Sequence, residues 1–281
     1  MVITLAKTAG FCFGVKRAVE MVENSLGELP QPVRMYGYLV HNEEVVNKFI
    51  KKGIQVVNSL ERVRSGTLII TAHGIDLETK AELQKRDLFI LDTTCPLVKD
   101  AQTRACQLFN EGRQVIIFGD ANHQEIKAIN DRINQTAIIL SSLGELNQFN
   151  FDLSKKYGLI SQTTQNTQKF KQAKEMLRRK IKDIKIFDTI CLATEERQNE
   201  ARELAQKCEI ILVVGSKTSA NTTRLYEICL AINPQTYFIQ TKNNLQIEWF
   251  EGVRSVGITA GASTPDWVIQ DVIKELAKSK E

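Results

Sequence analysis

Three widely separated cysteines are the residues of this chain best suited to chemistry. Cys12, Cys95 and Cys191 each follow a strand-like segment and precede a helix-like one, at intervals of 83 and 96 residues. Local metal-binding loops hold their cysteines only a few residues apart, so these intervals do not fit such a loop. They predict three copies of one structural unit, each bringing one soft ligand to a common centre.

The segments after each cysteine repeat in the same order. An apolar run that ends in glycine comes 24 or 25 residues later, and these glycines are Gly37, Gly119 and Gly215. Polar residues follow each glycine and also follow a later apolar run; the six are His41, His73, His123, Thr163, Ser219 and Ser263. Ligands of parallel α/β sheets bind at the carboxyl ends of strands. We therefore expect these residues and the three cysteines to line one cavity.

The chemistry of three thiolates has more than one interpretation at this stage. Structural zinc sites take four protein ligands and usually include a local cysteine pair, which is missing here. An iron–sulfur cluster of the [4Fe–4S] type usually takes four thiolates, so three would leave one iron open to a substrate. The third interpretation is that the cysteines are buried without a metal. Cys106, Cys208 and Cys229 lie among apolar neighbours and are predicted to be structural.

Composition and charge indicate a globular protein. The chain has 281 residues, of which 43% are hydrophobic and 25% charged, and its net charge is +4. This length suits two or three domains. The densest basic stretch, residues 169–185, has the apolar spacing of an amphipathic helix and lacks interleaved aromatic residues. We interpret it as a solvated helix face and predict no nucleic-acid partner; docking of an acidic electron donor is the alternative.

The sequence predicts a cytoplasmic protein with no membrane partner. Its apolar runs are too short to span a bilayer. The first residues lack the charged start and long apolar core of a secretory signal. Six cysteines in a chain of this kind suit a reducing compartment better than a disulfide framework.

Short apolar runs alternate with helix-like segments along the whole chain. The runs lie at 3–6, 33–36, 68–72, 88–91, 115–118, 137–140, 158–160, 184–187, 210–214, 236–239 and 255–259. Helical periodicity marks segments that include 15–26, 99–110, 167–181, 194–207 and 266–278. This alternation predicts parallel βαβ units and hence an α/β fold. We expect the first strand to join the sheet of the last unit.

Seven motifs also occur in a fixed order. They are GFCFGVKRAV at 10–19, VHN at 40–42, TAHG at 71–74, DTTCPLV at 92–98, SQTT at 161–164, DTIC at 188–191 and GITAGAS at 257–263. Together they resemble the family of 4-hydroxy-3-methylbut-2-enyl diphosphate reductases, called IspH or LytB. Members carry out the last step of the methylerythritol phosphate route to isoprenoids, in which an allylic hydroxyl leaves as water and isopentenyl and dimethylallyl diphosphates form.

The resemblance implies a fold of three pseudo-repeated βα units with small parallel sheets, arranged as a trefoil around a central iron–sulfur site. The units would be 13–95, 96–191 and 192–281, with 1–12 adding a strand to the third. It implies a [4Fe–4S] cluster with three cysteine ligands and an open apical iron; the ligands would be Cys12, Cys95 and Cys191. It also implies a one-electron donor such as ferredoxin or flavodoxin.

The same resemblance assigns the substrate site. The residues that would bind the allylic diphosphate are His41, His73, His123, Thr163, Ser219, Ala220, Asn221 and Ser263. Glu125 would be the catalytic acid, because hydroxide is a poor leaving group and must be protonated. Thr163 would link the substrate oxygen to Glu125.

This chain departs from the common family pattern at two positions. Many members have proline where Gln124 precedes Glu125, and many have a second serine where this chain has Ala220. Ala220 offers only its backbone N–H to a diphosphate. Two other classes of function stay open: a non-catalytic iron–sulfur carrier or sensor, and a zinc hydrolase of phosphate esters.

Overall fold

The computed structural model describes residues 1–278, which fold into two compact units. Unit 1 contains residues 1–16, 40–52 and the chain from 192 onward, and unit 2 contains residues 17–39 and 53–191. The predicted boundaries at 95 and 191 stay a prediction. No helix within 1–278 combines the length and the apolar character that a membrane crossing requires.

The described chain alternates strands and helices throughout. The strands are β1 Val2–Leu5, β2 Val33–Tyr36, β3 Gln55–Val57, β4 Thr67–Ile70, β5 Phe89–Asp92, β6 Gln114–Phe118, β7 Ile138–Leu140, β8 Tyr157–Ser161, β9 Ile184–Ile186, β10 Ile210–Val214, β11 Thr236–Ile239 and β12 Ser255–Ala260. The α-helices are α1 Phe13–Ser25, α2 Glu43–Lys51, α3 Leu77–Gln84, α4 Pro96–Asn110, α5 Gln124–Asp131, α6 Leu143–Gln148, α7 Thr167–Lys180, α8 Leu192–Lys207, α9 Ala220–Leu230 and α10 Asp266–Lys278. Two 3₁₀ turns, Lys242–Asn244 and Ile247–Phe250, precede β12.

Three four-stranded parallel sheets have the same strand order. Sheet A runs β1-β12-β10-β11, sheet B β5-β4-β2-β3 and sheet C β9-β8-β6-β7. Every registered strand pair is parallel. Sheet A lies in unit 1, and sheets B and C lie in unit 2. The predicted α/β class with three small parallel sheets is confirmed, and β1 is hydrogen-bonded to β12.

The central strands are buried on both faces. In β10, Leu212 packs into one apolar cluster, whereas its neighbours Ile211 and Val213 pack into another on the opposite face. In β6, Ile116 packs into one cluster and Ile117 into another on the opposite face. Successive side chains of a strand point to opposite faces, so helices cover both sides of these sheets. This explains why the central strands were recognisable as continuous apolar runs.

The helices that follow the cysteines begin earlier than their apolar periodicity predicted. The sequence predicted helix starts near residues 15, 99 and 194. The helices begin at Phe13, Pro96 and Leu192, each directly after its cysteine. First turns of helices expose most of their side chains, so periodicity gives no signal there. The sequence interpretation also missed β3, a three-residue edge strand of sheet B with no fully buried side chain.

Glycines directly after β10 of sheet A and β6 of sheet C permit a close approach between loops. A Cβ on Gly119 would lie 2.9 Å from Cβ of Gln162, in the loop after β8. A Cβ on Gly215 would lie 2.5 Å from Oγ1 of Thr264, in the loop after β12. In sheet C the loops after β6 and β8 leave neighbouring strands whose connections run to opposite sides, to β7 and to β9. That is the point where open α/β sheets bind ligands.

Replacement of Gly119 by alanine should therefore destabilise the protein. The added methyl group must displace Gln162 and Ile126, whose nearest atoms would lie at 2.9 and 3.0 Å. We expect the free energy of unfolding to fall by about 1–3 kcal/mol, measured by urea denaturation. Gly27→Ala is the control, because no atom lies within 4 Å of its Cβ position. Equal stability of the two variants would contradict this account.

Candidate functional site

The three cysteine loops are held by the same main-chain hydrogen bond. The backbone N–H of Cys12 donates to the carbonyl of Ala262, that of Cys95 to Ala72, and that of Cys191 to Thr163. Their N···O distances are 3.1, 2.9 and 3.1 Å. Each acceptor is the second residue after the end of an inner strand of its sheet, β12, β4 or β8. Each cysteine is thereby fixed beside the loop that carries a polar candidate residue.

Each of these cysteines also stands at the amino end of a helix. Cys12, Cys95 and Cys191 immediately precede α1, α4 and α8, and all three are half-buried thiols outside any disulfide. The free N–H groups of the first helical turn point toward this position. Three thiolates on separately fixed loops fit an iron–sulfur cluster, since they bring soft ligands without a local cysteine pair.

The other cysteines have a different setting. Burial raises the pKa of the Cys229 thiol to about 12, and burial also raises that of Cys208. The thiol of Cys106 donates to the carbonyl of Arg132 at 3.7 Å. Protonated thiols in apolar surroundings act as small hydrophobic groups.

Glu125 is a buried carboxyl group with one dedicated partner. It is 1% exposed, near the start of α5. Thr163 donates its backbone N–H to Oε1 at 2.7 Å and its hydroxyl to Oε2 at 2.8 Å. Burial raises the pKa of Glu125 to about 7, although both hydrogen bonds from Thr163 oppose this shift. Such a group holds a proton in the range where a general acid works best.

His123 caps the helix that carries Glu125. Its Nδ1 accepts a hydrogen bond from the backbone N–H of Glu125 at 3.2 Å. A ring nitrogen that accepts carries no proton, so the neutral imidazole has its hydrogen on Nε2 and can donate it to an anion. The ring of His73 lies edge-on to that of His123, with centroids 5.4 Å apart.

Unit 1 contains a second group of donors at the amino end of α9. Ser219 is the N-cap residue of α9, and its hydroxyl oxygen accepts from Thr222 N. Asn221 Oδ1 accepts from the backbone N–H of Ala262 at 2.9 Å, and its buried Nδ2 has no partner within residues 1–278. An unused amide donor beside a helix N-terminus suits an oxyanion. Ala220 is the first residue of that helix.

Two further predicted residues lie in unit 1. The hydroxyl of Ser263 donates to the backbone carbonyl of His41 at 2.9 Å. Burial lowers the pKa of His41, although the nearby Glu43 carboxylate raises it. His41 is therefore mainly neutral near pH 7 and can offer a ring N–H.

The predicted residues thus form a connected set within each unit. In unit 2, hydrogen bonds run from Cys191 to Thr163, from Thr163 to Glu125, and from Glu125 to His123. In unit 1, Cys12 is bonded to Ala262, and Ala262 to Asn221. Cys95 is bonded to Ala72, the residue before His73.

Helix α8 supplies two positioning residues that the sequence interpretation did not assign. The Arg197 guanidinium donates to the carbonyls of Thr8 and Gly10, the latter at 2.7 Å. Glu200 accepts from the backbone N–H groups of Lys7 and Thr8, at 2.6 and 2.9 Å. Both side chains hold the loop that leads to Cys12. Their spacing of three residues places them on one helix face. Arg197 also belongs to the ordered motifs, as part of the RQ pair at 197–198 that follows DTIC.

Comparison with known proteins identifies one family that matches this chain. Residues 3–277 match the family described as LytB protein. A 4-hydroxy-3-methylbut-2-enyl diphosphate reductase of Syntrophotalea carbinolica is 41% identical over 281 residues, with 99% of each chain covered. A protein of the same name from Aquifex aeolicus is 40% identical over 273 residues, covering 96% of this chain and 94% of the relative.

Two solved structures are similar over nearly the whole chain. One is (E)-4-hydroxy-3-methyl-but-2-enyl diphosphate reductase, the terminal enzyme of the non-mevalonate pathway. It is 39% identical, with a TM-score of 0.72 and coverage of 99% of this chain and 100% of that one. The other is the E-1-hydroxy-2-methyl-but-2-enyl-4-diphosphate reductase of Plasmodium falciparum. It is 28% identical, with a TM-score of 0.93 and coverage of 98% and 88%.

The raised pKa of Glu125 predicts a pH-dependent stability. The folded protein keeps this proton up to a pKa of about 7, whereas the unfolded chain loses it near 4.5. The contribution of Glu125 to the free energy of unfolding is therefore complete below the unfolded pKa. It is lost as the pH rises through the folded pKa, and the loss is on the order of 3 kcal/mol. Glu125→Gln should lack this decline when unfolding free energies are compared across that range. Glu203→Gln, at a residue on the exposed face of α8, should retain it.

Proposed function

This chain belongs to the LytB protein family, and on that basis we propose that it reduces 4-hydroxy-3-methylbut-2-enyl diphosphate to isopentenyl and dimethylallyl diphosphates. The allylic C–O bond breaks, two electrons and two protons are consumed, and the hydroxyl leaves as water. The observation that carries this proposal is the contact between a buried acid and a cysteine loop. Thr163 bonds to Glu125 through its hydroxyl and N–H, and its carbonyl accepts from Cys191.

We propose that Cys12, Cys95 and Cys191 hold a [4Fe–4S] cluster, each through one thiolate. The bound cluster would supply the two electrons and a Lewis-acidic iron. The support from the protein is the shared geometry of the three loops, each at a helix N-terminus and each hydrogen-bonded to the loop after an inner strand.

The diphosphate is proposed to bind through neutral hydrogen-bond donors. His123 offers Nε2–H, because its Nδ1 accepts the hydrogen bond from Glu125 N that caps α5. Asn221 offers a buried amide that no described group uses, and Ser219 offers a hydroxyl hydrogen while its oxygen caps α9. The full proposed set is His41, His73, His123, Thr163, Ser219, Ala220, Asn221 and Ser263. Neutral donors bind an oxyanion without the desolvation cost of burying additional cations.

Glu125 is proposed to deliver the proton that lets the hydroxyl leave as water. Its burial keeps a fraction of the carboxyl groups protonated at neutral pH. Thr163 lies between this acid and the loop of Cys191, so its hydroxyl can pass a proton to the substrate oxygen. A pure electron carrier has no use for such an acid. That contrast favours the reductase over the carrier, and the donor is proposed to be a ferredoxin or flavodoxin in the cytoplasm.

Anaerobic turnover is the direct test of this function. Protein isolated without oxygen, mixed with a strong one-electron donor and the hydroxylated diphosphate, should yield both five-carbon diphosphates. A zinc hydrolase of phosphate esters would be colourless and would release phosphate instead. Release of phosphate with no loss of the allylic hydroxyl would refute the proposal.

The iron content of serine variants tests the cluster ligands. Replacing any one candidate ligand should remove most of the bound iron, because a hydroxyl is a poorer ligand for iron than a thiolate. These variants are Cys12→Ser, Cys95→Ser and Cys191→Ser. Matched controls are Cys106→Ser and Cys208→Ser, whose thiols are half-buried like those of the ligands. Iron loss of the same size in both groups would rule out the assignment.

Glu125→Gln tests the acid. The amide is nearly isosteric, so the variant should bind iron and substrate as the wild type does. Turnover should fall about a hundredfold or more, the usual effect of removing a general acid. The measurements are steady-state turnover, iron content and substrate affinity on the same samples. Turnover near the wild-type value would mean that the proton has another source, and loss of iron would mean that Glu125 is structural.

A further inference from the structure

Unit 2 contains a cavity that shares no residue with the candidate site. Its volume is about 370 Å³. It is lined by the ends of β4 and β5, by the loop at Gly74 and Ile75, and by side chains of α3 and α4. Cavities of this size are large enough for a small metabolite.

Positive charge in this cavity exceeds negative charge. Lys80 and Lys99 both approach Oδ2 of Asp92, at 3.4 and 3.2 Å. Although partial burial opposes ionisation, hydrogen bonds from Thr94 and Lys99 lower the pKa of Asp92 to about 2, so it carries one full negative charge. Two cations thus share a single carboxylate. Arg132, which also lines the cavity, has no ion-pair partner among residues 1–278 and adds a third cation.

Two buried donors of the lining have no acceptor in the described chain. Gln102 is 3% exposed, and its Nε2 makes no hydrogen bond. That nitrogen lies beside Gly74, where a Cβ would be only 3.4 Å from it. Nε of Arg132 is likewise buried without an acceptor. A buried donor without an acceptor is unfavourable, and a bound acceptor would remove that cost.

We propose that this cavity binds a dianionic phosphate, either the inorganic ion or the phosphate group of a small monoester. Its oxygens would accept hydrogen bonds from Gln102 and Arg132, while Lys80 and Lys99 balance its charge. Phosphate has acceptor oxygens on every side, which suits donors that converge from separate helices. The cavity exceeds the volume of the inorganic ion, so a monoester also fits. Thr94 lines it directly before Cys95, so a bound dianion would add negative charge beside a candidate cluster ligand.

Calorimetric titration of the full chain at constant ionic strength tests this site. The two probes are inorganic phosphate and glycerol 3-phosphate. We expect saturable binding, weakened about tenfold or more in Arg132→Gln and in Gln102→Leu, because each removes a donor to the anion. Tighter binding of the monoester would identify a metabolite as the ligand, and tighter binding of inorganic phosphate would identify the free ion; either result supports the site.

One control separates this cavity from other anion sites. Lys127→Gln removes a cation from α5, the helix that ends directly before Arg132, at a residue that does not line the cavity. This variant should change phosphate affinity less than twofold, which would be a small free-energy effect. The proposal is overturned if Arg132→Gln and Gln102→Leu bind as the wild type does, if Lys127→Gln weakens binding equally, or if no saturable binding occurs at millimolar phosphate. Circular dichroism confirms folding, and if Arg132→Gln is misfolded, Lys99→Gln at a half-exposed side chain takes its place.

Discussion

One kind of main-chain hydrogen bond determines where the candidate chemistry lies. The N–H of each candidate cysteine donates to a carbonyl two residues beyond an inner strand of its sheet. The cysteine loop therefore cannot move independently of the loop that carries the polar candidate, because both are tied to the end of one buried strand. Parallel strands with helices on both faces give that end its rigidity. Each repeat therefore reproduces both the fold and the hydrogen bond that holds one cysteine.

Thr163 shows how much one residue contributes to this arrangement. Its N–H and its hydroxyl both donate to Glu125, and its carbonyl accepts from Cys191. A buried carboxyl group needs such partners, because its desolvation is otherwise unfavourable. The same contacts hold an acid at a fixed position beside a candidate ligand. The contacts that satisfy the buried acid are therefore also the contacts that fix its position.

Much of this organisation could be predicted from sequence, and the failures have physical reasons. Central strands such as β10 are buried on both faces and stand out as apolar runs, whereas β3 is a short edge strand with no such signal. Helix starts were misplaced because first turns are largely exposed. The roles of Arg197 and Glu200 depend on contacts with residues 7–10, nearly 190 positions away in the chain. No local pattern encodes such contacts, and the helix cap that fixes the hydrogen of His123 is equally invisible in one sequence.

The pairing of β1 with β12 has a consequence for the order in which the chain matures on the ribosome. Ala72 and Thr163, the acceptors for Cys95 and Cys191, are translated before the cysteines that they hold. Ala262, the acceptor for Cys12, is translated 250 residues after it. A nascent chain that has not yet reached residue 262 therefore carries two cysteine loops whose acceptors already exist and one whose acceptor does not. The first cysteine to be synthesised is the last to acquire its native geometry.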